Sequence, residues 1–227
     1  MSTYAISDIH GYYEIFEKLK QMLKPDDTVY FIGDACDRGP DGWRIIKEIL
    51  DDKRFIYIRG NHEQMLIDVI NNPEIGKFQK LHYANGGYRT EEAMTHEEEQ
   101  LVYDVIGKLM NTSLKAVYTN TSGKTVYMSH SGAVTDDAYD LIWDRNRLFF
   151  NVDEYDFVVH GHTPIMALLG DLKLYYRVMK IDEIPEWNGG AFRYCRNKID
   201  IDCATYVTGR SILLNLDTFE DYIITID

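Results

Sequence analysis

Cysteine is scarce, with three in 227 residues. Cys36, Cys195 and Cys203 form no Cys-x-x-Cys pair and no even framework, so neither a disulfide scaffold nor a thiolate metal site is expected, and reduced thiols are. A Cys195–Cys203 pairing across a hairpin is kept as an alternative. Long apolar runs are also missing: no stretch approaches the ~20 residues a membrane helix needs. The start Met1-Ser2-Thr3-Tyr4-Ala5-Ile6 passes straight into a strand-like segment without a basic leader region, so a cytoplasmic protein with no membrane partner is expected. Positive charge is the third shortage. Lys and Arg number 24 against 37 Asp and Glu, for a net charge of -13. That balance argues against a nucleic-acid polymer as partner, because such a partner requires a basic stripe. There is no low-complexity stretch and no convincing linker, so residues 1–227 are expected to form a single domain.

The chain is 45% hydrophobic and 13% aromatic, enough for a sizeable core. Its first third repeats one pattern. The apolar run Thr3 to Ser7 leads into Asp8-Ile9-His10-Gly11, after which Ile15, Phe16, Leu19, Met22 and Leu23 recur at helical spacing. Thr28 to Ile32 leads into Gly33-Asp34-Ala35-Cys36-Asp37-Arg38-Gly39, with a helix from about Pro40. Phe55 to Ile58 leads into Arg59-Gly60-Asn61-His62-Glu63 and a third helix carrying Met65, Leu66, Val69 and Ile70. Three successive β-turn-α units predict a parallel sheet with right-handed crossovers, whose carboxyl edge gathers the turns.

From about 72 to 113 the pattern predicts a helical insertion, broken at Asn85-Gly86-Gly87, with a capping box at Thr95-His96-Glu97-Glu98. His82 and His96 read there as surface or packing residues. Lys115 to Thr119 and Thr125 to Met128 flank a hairpin signal, and Ser129-His130-Ser131 ends the second strand. Phe157 to Val159 is a short buried strand running into His160-Gly161-His162-Thr163-Pro164. Strands are then expected at Leu172–Tyr176, Arg177–Ile181, 198–202, 211–216 and 222–226, forming an antiparallel end.

Asp8, His10, Asp34, Asn61, His130 and His162 each follow a predicted strand. Their mixed oxygen and nitrogen donors suit Mn²⁺, Fe or Zn²⁺ better than Ca²⁺. Six ligands exceed what one catalytic ion needs, whereas two ions sharing a carboxylate would use them all, an arrangement suited to phosphate-ester hydrolysis. Arg38 and Arg145 offer guanidinium forks for phosphoryl oxygens.

Asp8-Ile9-His10-Gly11, Gly33-Asp34-x-x-Asp37-Arg38-Gly39, Gly60-Asn61-His62-Glu63, His130 and Gly161-His162-Thr163 together resemble the ordered signature of the calcineurin-like metallophosphoesterases. The likeness is greatest to the phosphoprotein-phosphatase group and its bacterial and phage members, with the symmetrical diadenosine tetraphosphatases as relatives. The resemblance implies an α/β fold in which a central β-sandwich of two mixed sheets is flanked by helices. It implies that Asp8 and His10 hold one ion, that Asp34 bridges two, and that Asn61, His130 and His162 complete the second, with Mn²⁺ favoured. It further implies that His62 is a general acid oriented by Asp37, that Arg38 binds phosphate, and that Arg145 is a second phosphate-binding arginine, with Arg147 nearby. The activity implied is hydrolysis of phosphomonoesters by in-line attack of a metal-bridging hydroxide, most readily on phosphoserine or phosphothreonine in proteins. Hydrolysis of dinucleoside polyphosphates is the alternative, and a non-catalytic scaffold is the alternative of another class. Ser7 departs from the family's usual glycine, Ala35-Cys36 from a more apolar pair, and 201–204 is a weakened Ile-Asp-x-Gly element. Cys36 is either inert or an oxidation-sensitive thiol, and His160 is expected to pack beside the site.

Overall fold

The computed structural model describes residues 1–150, 152–179 and 186–227. Its first half alternates as the sequence pattern predicts: β1 (Thr3–Ile6), α1 (Tyr13–Met22), β2 (Thr28–Ile32), α2 (Gly42–Asp51), β3 (Phe55–Ile58) and α3 (Asn61–Asn71). β1, β2 and β3 pair in parallel, with Thr3 opposite Thr28 and Ile32 opposite Ile58. Three helices follow, α4 (Gly76–Ala84), α5 (Tyr88–Met94) and α6 (Glu99–Met110). The second half contributes β4 (Lys115–Thr119), β5 (Thr125–Ser129), α7 (Ala138–Trp143), β6 (Phe157–His160), α8 (Ile165–Met179), β7 (Phe192–Tyr194), β8 (Lys198–Asp200), α9 (Thr205–Thr208), β9 (Arg210–Asn215) and β10 (Asp221–Thr225).

Two mixed five-stranded sheets result, in the orders β10-β9-β1-β2-β3 and β4-β5-β6-β8-β7. Strand alternation fixes how they are layered. On β2, Val29 and Phe31 face a core built with Phe16 and Leu19 of α1, Ile45 and Ile49 of α2 and Ile106 of α6. Tyr30 and Ile32 face the other way, into a core shared with Val126, Val159 and Ile199 of the second sheet. Leu141 and Ile142 of α7 cover Tyr127 and Val158 on that sheet's outer face. The central strands are thus buried on both sides, which is why they read as continuous apolar runs rather than as alternations. Among the described residues no helix is long and apolar enough to cross a membrane.

Two local expectations fail. Leu172 to Met179 belong to α8 and not to two strands, while Ile181 lies outside the described residues. Pro164 precedes that helix, and Ile165, Leu168, Leu169 and Leu172 are buried at one-face helical spacing, a stripe masked in the sequence by the neighbouring Leu and Tyr residues. The capping box is absent: α6 starts at Glu99 without a side-chain cap, the Thr95 hydroxyl donates back to Glu92 O at 2.7 Å, and Glu97 pairs with Lys47. The thiols are reduced as expected: Cys195 and Cys203 are both free, and because Tyr194 pairs with Lys198 across the β7–β8 hairpin, Cys203 lies beyond its end and the alternative pairing is not made.

Phe16 is fully buried, with its ring 5.5 Å from that of Phe55, whereas Phe150 is 65% exposed. Phe16→Ala is expected to cost about 3–5 kcal/mol in urea unfolding and Phe150→Ala no more than about 0.5 kcal/mol.

Candidate active site

The turns after β1 and β2 continue the parallel pairing beyond the strands. Asp8 N donates to Gly33 O at 3.0 Å, His10 N to Asp34 O at 3.0 Å and Gly11 N to Ala35 O at 2.8 Å. Gly33 permits this crowding: at φ +76° any Cβ would lie 2.6 Å from both Gly60 Cα and the His130 ring. The same winding forces ordinary side chains into left-handed backbone. Among the described residues, nine non-glycines have positive φ, and Asp8, His10, Asp34, Asp37, Arg38 and His162 are six of them. Such conformations cost of order 1–3 kcal/mol each and persist where the surroundings over-determine them.

Asp34 stands at the centre. Its Oδ2 is 3.7 Å from both His10 Nε2 and His62 Nε2, and its Oδ1 is 3.3 Å from His130 Nε2. The buried sets His10, Asp34, His62 and Asp8, Asp34, His130 each bring candidate ligand atoms within 4.8 Å of one another, with Asp34 common to both. Asn61 joins them: its Oδ1 is 2.9 Å from His130 Nε2 and 2.9 Å from His162 Nδ1. Asp8 accepts the His162 backbone N–H at 3.2 Å.

The ring orientations are built for cation binding. His10 Nδ1 lies 3.0 Å from Cys36 O and His130 Nδ1 2.8 Å from Ile32 O, so in each ring Nδ1 carries the proton and Nε2 is presented to the Asp34 carboxylate. Charge balance points the same way. Burial, then Asp202 and Asp34, push the Asp8 carboxyl well above the usual range. Burial lowers His130, but the Asp34 charge outweighs it and lifts the ring to about 10. Buried carboxylates and ring nitrogens crowded round one small space, with too few donors, fit divalent cations as counter-charge.

His62 Nδ1 donates to Asp37 Oδ2 at 2.7 Å, leaving Nε2 toward Asp34. Arg38 Nη1 and Nη2 donate to His10 Nε2 at 2.9 Å and His62 Nε2 at 3.2 Å, and its guanidinium lies 4.2 Å over the Tyr206 ring. Arg145 reaches the opposite flank, with Nε 3.4 Å from His162 Nε2. Arg147 is drawn away by Asp140 and Asp144.

The family model for calcineurin-like phosphoesterases matches residues 1–166. The chain belongs to this family. It is therefore a phosphoesterase of the metallophosphatase fold. It is similar to serine/threonine-protein phosphatase 2 of Salmonella typhimurium, 29% identical over 157 residues that cover 64% of this chain and 68% of the relative. It is also similar to a symmetrical bis(5'-nucleosyl)-tetraphosphatase of Buchnera aphidicola, 41% identical over 73 residues covering 30% of this chain and 27% of the relative. Among solved structures, a metallophosphoesterase from Sphaerobacter thermophilus superposes with a TM-score of 0.59 at 17% identity, covering all of this chain and 89% of that one. A serine/threonine phosphatase from Saccharomyces cerevisiae gives 0.60 at 14% identity, covering all of this chain and 80% of that one. These last two likenesses show the fold alone.

The phosphoesterase site also holds residues outside the set expected from the motifs. Glu63 is fully buried, and its carboxylate accepts the backbone N–H groups of Asp34 at 2.9 Å, Ala35 at 2.8 Å and Gly60 at 2.8 Å. His82, read as surface or packing, is buried with Nε2 3.0 Å from Asp37 Oδ1, and the Thr90 hydroxyl donates to the same oxygen at 2.7 Å. Asp202 is buried behind Asp8, and burial raises it to about 6. His160 packs as expected, buried with Nε2 2.6 Å from the Tyr194 hydroxyl. Cys36 is buried with its thiol 3.7 Å from Glu63 Oε1, and burial followed by the Asp37 and Glu63 charges pushes it well above the usual thiol range.

A thiol so placed is inert, so iodoacetamide applied to the native protein should leave Cys36 unmodified by mass spectrometry; alkylation in the folded state would show that the turn opens. For His82, burial lowers the ring's affinity for protons, but the hydrogen bonds it donates to Asp37 and Glu91 outweigh it and set a value of about 9. That stands above the ~6.5 of an unfolded histidine, so its stabilisation is complete below that pH and is lost as pH rises through about 9. The stability advantage of wild type over His82→Leu in urea titrations is expected to be larger at pH 6 than at pH 9.5.

Proposed function

We propose that this phosphoesterase is a dinuclear-metal-dependent phosphomonoesterase whose preferred substrates are phosphoserine and phosphothreonine in proteins. The observation that carries the reading is the shared carboxylate: Asp34 belongs to both buried donor sets and also faces His62. In this reading Asp8, His10 and Asp34 hold one divalent ion and Asp34, Asn61, His130 and His162 the other, Mn²⁺ being favoured among Mn²⁺, Fe and Zn²⁺. When bound, the ions stabilise charge on the phosphoryl oxygens and lower the pKa of a bound water.

The remaining work falls to side chains. Arg38 and Arg145 approach from opposite flanks, and bidentate hydrogen bonds from their guanidinium groups orient the phosphoryl oxygens. The ring of Tyr206 under Arg38 limits the planes that guanidinium can adopt. In its doubly protonated form His62, with Nδ1 tied to Asp37, presents Nε2–H to the leaving oxygen in place of the Arg38 contact and protonates it. The relative matched over most of the chain is named a serine/threonine phosphatase, which supports the protein substrate. The excess of acidic residues fits a substrate recognised at a local cationic site and not along a polyanion.

A specific observation supports a second reading, hydrolysis of dinucleoside polyphosphates. Exposed aromatic surface flanks the site on two sides: Tyr206 is 39% exposed over Arg38, and Tyr139, 68% exposed, stacks on Trp143, whose ring edges His162. Bases stack on such surfaces.

With Mn²⁺ supplied, phosphopeptide is expected to turn over faster than diadenosine tetraphosphate; turnover of the dinucleotide alone would replace the first reading with the second. His62→Asn should lower turnover by about 10²–10⁴ yet retain the rise in melting temperature that a ligand bound to the native state brings. Asp34→Asn should lose both. Wild-type turnover in either variant would defeat the assignment.

A further inference from the structure

The helical segment between β3 and β4 delivers a charged pair to the acid side of the site. His82, in the last turn of α4, is fully buried with Nε2 3.0 Å from Asp37 Oδ1 and Nδ1 2.7 Å from Glu91 Oε1. Both ring nitrogens therefore face carboxylates, and ionised carboxylates only accept, so the ring carries both protons. The other Asp37 oxygen accepts the His62 Nδ1 proton at 2.7 Å. Glu91, His82 and Asp37 thus form a line in which charges alternate, starting on α5 and ending at His62.

Two further features show how closely this line is fitted. A Cβ on Gly87 would fall 2.1 Å from His82 Cδ2, so only glycine admits the ring at that point. The adjoining Gly86 carbonyl accepts the Arg38 backbone N–H at 3.1 Å, and Thr90 accepts the Asp37 backbone N–H at 3.0 Å while donating to the Asp37 carboxylate. The break at Asn85-Gly86-Gly87 is the point at which the helices grip the Asp37–Arg38 turn. Burial favours a protonated Asp37, but the His62 and His82 hydrogen bonds reverse that and hold the carboxyl below the usual range.

We propose that His82 is a positioning residue for phosphoester hydrolysis: anchored by Glu91, it fixes the Asp37 carboxylate, which in turn holds His62 with Nδ1 protonated and Nε2 toward the leaving oxygen. The proposal rests on the reading of His62 as the general acid. A buried carboxylate stripped of one charged partner seeks another. Without His82, Asp37 rotates or takes up a proton, and the His62 ring loses its fixed tautomer. A role confined to holding α4 in place predicts a different pattern, in which every substrate suffers alike.

The test compares two substrates that differ in their need for an acid. p-Nitrophenolate departs without help, whereas phenolate requires protonation, so the loss of a well-placed acid weighs on phenyl phosphate. In the Mn²⁺-loaded full chain, His82→Leu is expected to lose at least about tenfold more kcat on phenyl phosphate than on p-nitrophenyl phosphate, within the range general acids contribute. His82→Gln, which keeps an N–H toward Asp37, should recover most of the difference, and Glu91→Gln should show a smaller loss of the same kind. Equal losses on both substrates in all three variants, together with an unmoved His62 Nδ1–H proton resonance, would overturn the proposal. A second readout needs no turnover: the low-field proton resonance of His62 Nδ1–H, assigned by its disappearance in Asp37→Asn, should broaden or move in His82→Leu and return in His82→Gln. An unchanged resonance in His82→Leu would also overturn it. If the resonance responds as expected while no variant and no substrate shows an acid-dependent difference, the positioning of His62 by His82 stands and the reading of His62 as the acid falls.

Discussion

One buried carboxylate, that of Glu63, holds the turn on which the rest of the site depends. It accepts three backbone N–H groups, two from the turn after β2 and one from Gly60 after β3. Those donors have no strand partners left, because the chain there has turned out of the sheet, and leaving them unpaired in a buried place would cost about 1–3 kcal/mol each. With them satisfied, Asp34, Asp37 and Arg38 can all occupy left-handed backbone within one short turn. That winding sends the Asp34 carboxylate one way, toward His10 and His130, and Asp37 another, toward His62 and His82. One turn therefore supplies both the centre of the donor cluster and the carboxylate bonded to His62 and His82, and Glu63 is what stabilises the turn.

The sheet gives that turn its neighbours. Parallel pairing of β1, β2 and β3 puts three loops on one edge, and the parallel pairing of β5 with β6 in the second sheet brings His130 and His162 to the same edge from the other layer. The packing of the two sheets through Ala5, Tyr30, Ile32, Val126 and Val159 is thus what sets the distance between Asp8 and His162. A change in that inner core would be felt at the site before it was felt in the helices, because close-packed interiors transmit displacement and do not absorb it.

How much was legible in the sequence follows from the range of each interaction. The β-turn-α units were readable because each is local: an apolar run, a polar turn and a helical stripe lie within thirty or so residues, about the size of one such unit. The residues at strand ends were readable for the same reason, since topology alone sends them to one edge. Arg145 and Arg147 were not separable, because what divides them is the pull of Asp140 and Asp144 on Arg147. His82 was not readable at all. Its partner Asp37 is 45 residues away, and a lone histidine in a helical stretch gives no periodic signal. The nearest hint was the Gly86-Gly87 break, which marks a close approach without saying to what. The second half of α8 reads as strand because its run of Leu, Tyr and Val residues carries no clear period by itself, whereas Ile165, Leu168, Leu169 and Leu172 together carry the helical one.

The distribution of histidine ties these points together. Of the seven histidines, all but His96 are buried, and five of those six lie within hydrogen-bond or ion-pair distance of Asp34, Asp37 or Asn61. Their environments pull them apart. Burial and the neighbouring His62 drive His10 down to about 3, while the Asp34 charge lifts His130 to about 10 and the Asp37–Glu91 pair lifts His82 to about 9. Rings of one chemical type are thereby sorted by their carboxylate neighbours. His10, against the Arg38 guanidinium, stays a neutral donor of lone pairs, and His82, between two carboxylates, stays a fixed cation. His82 needs that fixed charge because it faces Asp37 from the side away from the donor cluster, where no divalent ion would reach to balance the carboxylate. A protein with a net charge of -13 has few cations to spend inside, and at this place it has built one from a histidine wedged between two acids.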